Sequence, residues 1–173
     1  MHSTAPGHVK LTLGGVGRNI AEASHRIMAA KYPELSSVLL APIGRDAFGH
    51  LLVTELQEYK MRIDGLSRTD DRTAVCNMVL DSHGALVGGV ADMGITETFT
   101  GDQVGRHGYL STSLKSDPPL QIIPLLQNYT PEIVAMDGNL HSGTIDSLVS
   151  YCNRLAIKGT VMSYGIYFCA MLI

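Results

Sequence analysis

From Gly15 onward the apolar positions Ile20, Ala23, Ile27 and Met28 return at helical spacing, which predicts an amphipathic helix that runs to about Tyr32 and stops at Pro33. The stretch before it, LTL followed by Gly14 and Gly15, reads as a strand that turns directly into that helix. SVLLAPIG (37–44) is apolar without interruption and ends on glycine, the pattern of a strand buried on both faces and so of a parallel sheet. Asp46 is placed to cap a second helix, in which Phe48, Leu51, Leu52, Leu56 and Tyr59 form one face until KMRIDG (60–65) closes the unit. TAVCNMVL (73–80) and ALVGGV (85–90) flank DSHG and predict a β-hairpin; alternation puts Thr73, Val75, Asn77 and Val79 on one of its faces. SLKSDPPLQ (113–121) is the most loop-like segment. EIVAMDGN (132–139) predicts another buried strand, and Ile145, Leu148, Val149, Cys152 and Leu155 mark a helix after it. GTVM (159–162) begins one more strand. Strands alternating with helices give an α/β domain with helices on both sheet faces, to which the hairpin is an antiparallel addition.

Composition narrows the partner rather than the fold. Hydrophobic residues make up 45% and charged residues 17% of the 173 positions, the balance of a chain able to bury a core. Thirteen basic against sixteen acidic residues give a net charge of −3 with no run of one sign, so neither a nucleic acid nor a membrane surface has electrostatic support as a partner. A small molecule is the expected ligand. Cys76, Cys152 and Cys169 are odd in number and set among apolar neighbours, which favours reduced, buried thiols in a cytoplasmic protein over a disulfide framework. The longest uncharged apolar run, VMSYGIYFCAMLI, falls short of the ~20 residues of a membrane helix. The seven histidines show no paired ligand spacing, so no metal site is expected.

The candidate chemistry gathers where strands end. A helix that starts straight from a strand leaves its first N–H groups unpaired, and glycine lets a ligand approach that backbone closely. Gly14 and Gly15 stand at such a junction, and Asn19 can donate and accept hydrogen bonds as a vicinal diol requires. A turn that needs glycine for packing alone is the competing reading. Arg18 beside them could face an anion at the helix start but reads rather as solvated, and Asp46 reads as a cap rather than a ligand. Asp137 and Asn139 fall at the C-terminal end of a strand, where open α/β sheets bind ligands, and Asp92 follows the hairpin. Asn77 either faces a ligand from the hairpin or is a buried asparagine satisfied by backbone. No G-x-x-x-x-G-K-[ST] loop occurs.

GGVGRNIAEA (14–23) followed by LLAPIGRDAFG (39–49) resembles the N-terminal signature of the ribokinase-like (PfkB) family of carbohydrate and nucleoside kinases. The wording PGHVKLTLGGVGRNIAEA, with VADM at 90–93, is most similar to the branch that acts on pseudouridine. The resemblance implies a three-layer ribokinase-like (Rossmann-like) fold with a mainly parallel sheet and a small β lid hairpin at about 73–90. It implies that the glycine pair and asparagine, here Gly14, Gly15 and Asn19, bind sugar hydroxyls, with Asn77 on the lid. It also implies ATP and Mg²⁺ as cofactors, phosphorylation of a sugar or nucleoside hydroxyl such as pseudouridine to its 5'-phosphate, and a homodimer formed through the lid.

The resemblance spans about residues 6–162 and only the first half of the family pattern. The family's first strand would precede Pro6, and its Gly-Ala-Gly-Asp motif, with the catalytic base, has no counterpart. Gly101-Asp102 in FTGDQV lacks the Gly-Ala and reads as a helix cap. The tail SYGIYFCAMLI (163–173) departs from the family and carries no pattern. The expectation is therefore one partial domain over 1–173, holding the sugar-binding half and no catalytic residue, and inactive by itself. The alternatives are a non-catalytic riboside-binding or regulatory module, or a non-functional truncated product.

Overall fold

The structure, a computed structural model, describes residues 6–100, 120–162 and 171–172. Helix α1 (Val16–Lys31) opens after Gly15, whose φ of 100° lies in the region that only glycine adopts freely. It closes at Tyr32, which donates its N–H to the Met28 carbonyl at 2.7 Å before Pro33 disfavours another helical turn. Strand β1 (Leu39–Gly44) is buried along its whole length. Helix α2 (Ala47–Glu58) follows, then β2 (Leu66–Thr69), parallel to β1 from Ala41 opposite Leu66 to Gly44 opposite Thr69.

Strands β3 (Val75–Leu80) and β4 (Leu86–Asp92) form a separate antiparallel ribbon. Its turn is held by the Asp81 carboxylate, which accepts from His83 N–H at 2.8 Å and Ala85 N–H at 2.9 Å. A 3₁₀ turn (Gly94–Thr98) leads to β5 (Phe99–Thr100), which pairs in parallel with β6 (Leu120–Gln121). Then come α3 (Ile122–Gln127), β7 (Ile133–Asp137), α4 (Ser142–Arg154), β8 (Lys158–Met162) and β9 (Met171–Leu172).

The main sheet has the order β2-β1-β9-β7-β8. Strand β8 runs parallel to β7, while β9 is antiparallel and sits between β1 and β7, Leu172 standing opposite both Leu39 and Ala135. Alternation along the central strands divides the interior into two cores. Leu39, Ala41, Ile43 and Ala135 pack with Ala21 of α1 and Leu52 and Leu56 of α2. Val38, Leu40, Val134 and Met136 pack on the other face with Ile122 and Leu126 of α3 and Leu148 and Tyr151 of α4. Helices on two faces of one sheet give the three-layer α/β architecture expected from the sequence.

Three local expectations change. No strand forms among residues 6–13: residues 6–15 carry no regular structure, and Val9 is fully exposed. Val9, Leu11 and Leu13 alternate as a strand would, but no described strand pairs with them. Strand β2 was not anticipated, because LSRT has neither apolar alternation nor length and is ordered by its parallel pairing with β1. The tail, expected without pattern, contributes β9. Asp102 and most of the loop-like 113–121 segment lie outside the described residues. No helix among the described residues is long and apolar enough to cross a membrane.

Candidate functional site

The C-terminal ends of β1 and β7 approach the start of α1. A cleft beside β1 is lined by Gly14 and Arg18 from the α1 start, by Ala41, Pro42 and Ile43 from β1, and by Thr73, Ile95 and Thr96. Asp137, the last residue of β7, is fully buried and does not line this cleft. Its Oδ1 accepts from the Asn139 backbone N–H and from the Asn139 side-chain amide, each at 2.9 Å, and the Gly17 N–H at the start of α1 faces the carboxyl and favours its charged form. Asp137 Oδ2 has no partner among the described residues. Burial pushes this carboxyl above the usual carboxylate range, and the bonds from Asn139 and the facing Gly17 N–H only partly offset that. A buried acceptor thus stands under the first N–H groups of a helix.

Arg18 departs from its expectation. It is 7% exposed, not solvated. Its Nε–H donates to the Gly14 carbonyl at 2.9 Å, Nη1 to Glu22 Oε2 at 2.6 Å, and Nη2 to Asn19 Oδ1. The hydrogen bond from Arg18 is the largest influence on Glu22 and, with Arg26 on the other side, outweighs burial and holds its carboxyl below the usual range. Asn19 itself is exposed, and its backbone N–H donates to the Gly15 carbonyl at 2.8 Å.

At the end of β1 a second network is structural. Asp46 caps α2 by accepting from Gly49 N–H at 2.8 Å, and it also accepts from the Thr73 hydroxyl and the Thr73 N–H, both at 2.7 Å. The Thr73 hydroxyl oxygen in turn accepts from Gly44 N–H at 2.9 Å. A Cβ on Gly44 would stand 2.4 Å from the Asp71 carbonyl, and one on Gly49 would stand 2.3 Å from the Gly44 carbonyl. The glycines of GRDAFG are therefore required by close backbone approach, a packing role.

The sequence-predicted residues fall into two groups. Gly14, Gly15, Asn19, Asp137 and Asn139 gather around the start of α1, linked through Arg18 and Gly17. Asn77 and Asp92 lie on the ribbon and do not line the cleft. Asn77 is exposed opposite Val90, which removes the reading of it as a buried, backbone-satisfied asparagine. Asp92 pairs with Arg72 at 2.8 Å. Sequence reasoning missed Thr73, whose buried hydroxyl belongs to no local motif, and the structural part played by Arg18. Among the described residues no group of three or more His, Cys, Asp or Glu side chains is placed to hold a metal ion.

Comparison with known proteins places these elements in a wider set. The pattern of the pfkB family carbohydrate kinases matches residues 2–93, which include the glycine turn, β1, α2 and the ribbon. The chain is 31% identical over 104 residues to a pseudouridine kinase of Escherichia coli strain K12, covering 60% of this chain and 31% of that protein. It is 28% identical over 115 residues to a pseudouridine kinase of Arabidopsis thaliana, covering 65% of this chain and 28% of that one. The aligned region is thus less than a third of either relative's length. A crystal structure of a candidate sugar kinase from Clostridium perfringens superposes on 95% of this chain and 44% of its own, with a TM-score of 0.55 at 19% identity, a likeness of fold.

Proposed function

This chain belongs to the pfkB family of carbohydrate kinases, and from that premise we propose that it supplies the sugar-side half of an ATP-dependent phosphoryl transfer to a nucleoside hydroxyl, with pseudouridine as the substrate. The observation that carries the proposal is the buried Asp137 carboxyl beside the Gly14–Gly15 turn, where one acceptor oxygen has no described partner. The two pseudouridine kinases among the relatives support the choice of nucleoside. A ribosyl group offers the donors and acceptors that such a turn lacks: a hydroxyl can donate to Asp137 Oδ2, and hydroxyl oxygens can accept from Asn19 Nδ2 and from backbone N–H groups at the start of α1. Asn139 orients Asp137 through the two bonds to Oδ1. Asn77 and Asp92 would reach the ligand only from the ribbon side.

Phosphoryl transfer also needs a base beside the attacking hydroxyl and donors for the developing charge, each worth orders of magnitude in rate. The 173 residues contain no Gly-Ala-Gly-Asp sequence. ATP and Mg²⁺ belong to the proposal as the family's phosphoryl donor and its metal, and no described residue of this chain is assigned to either. The ribbon exposes Val87 and Val90, which supports pairing of two copies through it; Val90→Lys is expected to lower the mass measured by light scattering if that pairing forms.

The test is an ADP-release assay on the 173-residue chain with MgATP, run beside calorimetric titration with pseudouridine, uridine and ribose. The expected result is saturable binding of pseudouridine without turnover. Turnover would overturn the proposed inactivity, and binding of MgATP without any riboside would overturn the sugar-side assignment.

A further inference from the structure

A cation at the start of a helix is opposed by the helix dipole, and an arginine there ordinarily extends into water. Arg18 does the reverse. Its guanidinium is buried and divided among three acceptors from three places: the Gly14 carbonyl in the turn, Glu22 one turn on, and Asn19 beside it. Glu22 is itself fixed from the far side by Arg26, with Nη2 to Oε1 at 2.6 Å. A planar fork held at three points has little freedom left.

The contact with Asn19 has a chemical consequence. A guanidinium carries only donors, so the amide atom facing it must be the oxygen, and the usual ambiguity between Asn oxygen and nitrogen is removed. The side chain of Asn19 is exposed and makes no other hydrogen bond among the described residues. We infer that Arg18 is a positioning residue, which holds the Asn19 amide with Oδ1 turned toward the guanidinium and both Nδ2 protons turned away, so that Asn19 recognises an acceptor oxygen of the ligand rather than a hydroxyl hydrogen. This rests on the reading of the turn as the substrate-facing site, and it narrows Asn19 from a donor and acceptor to a donor.

The test uses the full chain labelled with ¹⁵N and ¹³C, and reads the Asn19 χ1 angle from three-bond couplings and its χ2 angle from the nuclear Overhauser contacts of the two Nδ2 protons in wild type, Arg18→Lys and Arg18→Met. The lysine variant keeps the buried charge and the Glu22 partner, so it preserves the fold if the methionine variant does not. A single Asn19 rotamer in wild type that becomes averaged in both folded variants is expected; one rotamer retained in either overturns the inference. Pseudouridine affinity supplies the second reading. Arg18→Lys is expected to lower it about tenfold, the scale of one hydrogen bond, and Arg18→Lys/Asn19→Ala to bind no more weakly than Asn19→Ala alone. Additive losses would mean that Arg18 acts independently of Asn19. If wild type binds no riboside, the proposed function fails while the couplings still decide the positioning.

Discussion

Asp137 and Asn19 show opposite solutions to holding a polar group near the start of a helix. Asp137 is withdrawn from solvent with one oxygen bonded and the other without a described partner, whereas Asn19 stays exposed and is oriented by a neighbour. Burial raises the Asp137 pKa. A raised folded-state value contributes stability that is present below the unfolded pKa of about 3.9 and is lost as pH rises through the folded value. Asp137→Asn, which cannot ionise, is therefore expected to melt at a higher temperature than wild type at pH 7, with the gap closing toward pH 4, and to bind pseudouridine more weakly. Melting curves at the two pH values check the first part; an Asn variant that melts lower at pH 7 would show that the carboxylate is stabilised by a partner. The sequence placed Asp137 at the C-terminal end of a strand, where it lies, but it held no sign of Arg18's burial. That burial depends on Glu22 and the Gly14 carbonyl closing around the guanidinium, which pairwise spacing does not reveal.

The junction of β1, α2 and the segment entering β3 is pinned by Asp46, which is both the cap of α2 and the acceptor for the Thr73 hydroxyl and N–H. Burial opposes ionisation of this carboxyl, but its hydrogen bonds from Gly49 and Thr73 outweigh burial and hold it below the usual range. Its contribution therefore runs opposite to that of Asp137: it is present above the unfolded pKa and lost as pH falls through the folded one. Asp46→Ala removes the cap and strands the Thr73 N–H, and is expected to cost about 1–3 kcal/mol in urea denaturation at pH 7. A loss below a few tenths of that would mean that water replaces the carboxylate at this junction. The elements with strong periodicity, α1, β1, α2, the ribbon, β7, α4 and β8, were legible in the sequence because alternation and helical spacing act within each segment. Strand β2 and helix α3 were not, since LSRT is ordered by β1 and the short IIPLLQ by the core around Phe99 and Leu148. The stretch before Gly14 failed in the other direction: its alternation was real, but pairing requires a neighbour.

For the whole molecule, two cores on opposite faces of one sheet bring the ends of β1 and β7 to the start of α1, and that convergence places the candidate site. Parallel pairs β1–β2 and β7–β8 meet across β9, whose two residues are the contact between them within the sheet. Whether this arrangement unfolds as one unit, and whether the site it builds takes a riboside without a nucleotide partner, is decided by a single experiment. The thermal unfolding of the 173-residue chain is followed alone, with pseudouridine, and with MgATP. One cooperative transition is expected, raised by pseudouridine in proportion to the logarithm of its concentration once it exceeds the Kd, and unmoved by MgATP. A transition raised by MgATP and indifferent to pseudouridine would contradict the sugar-side assignment.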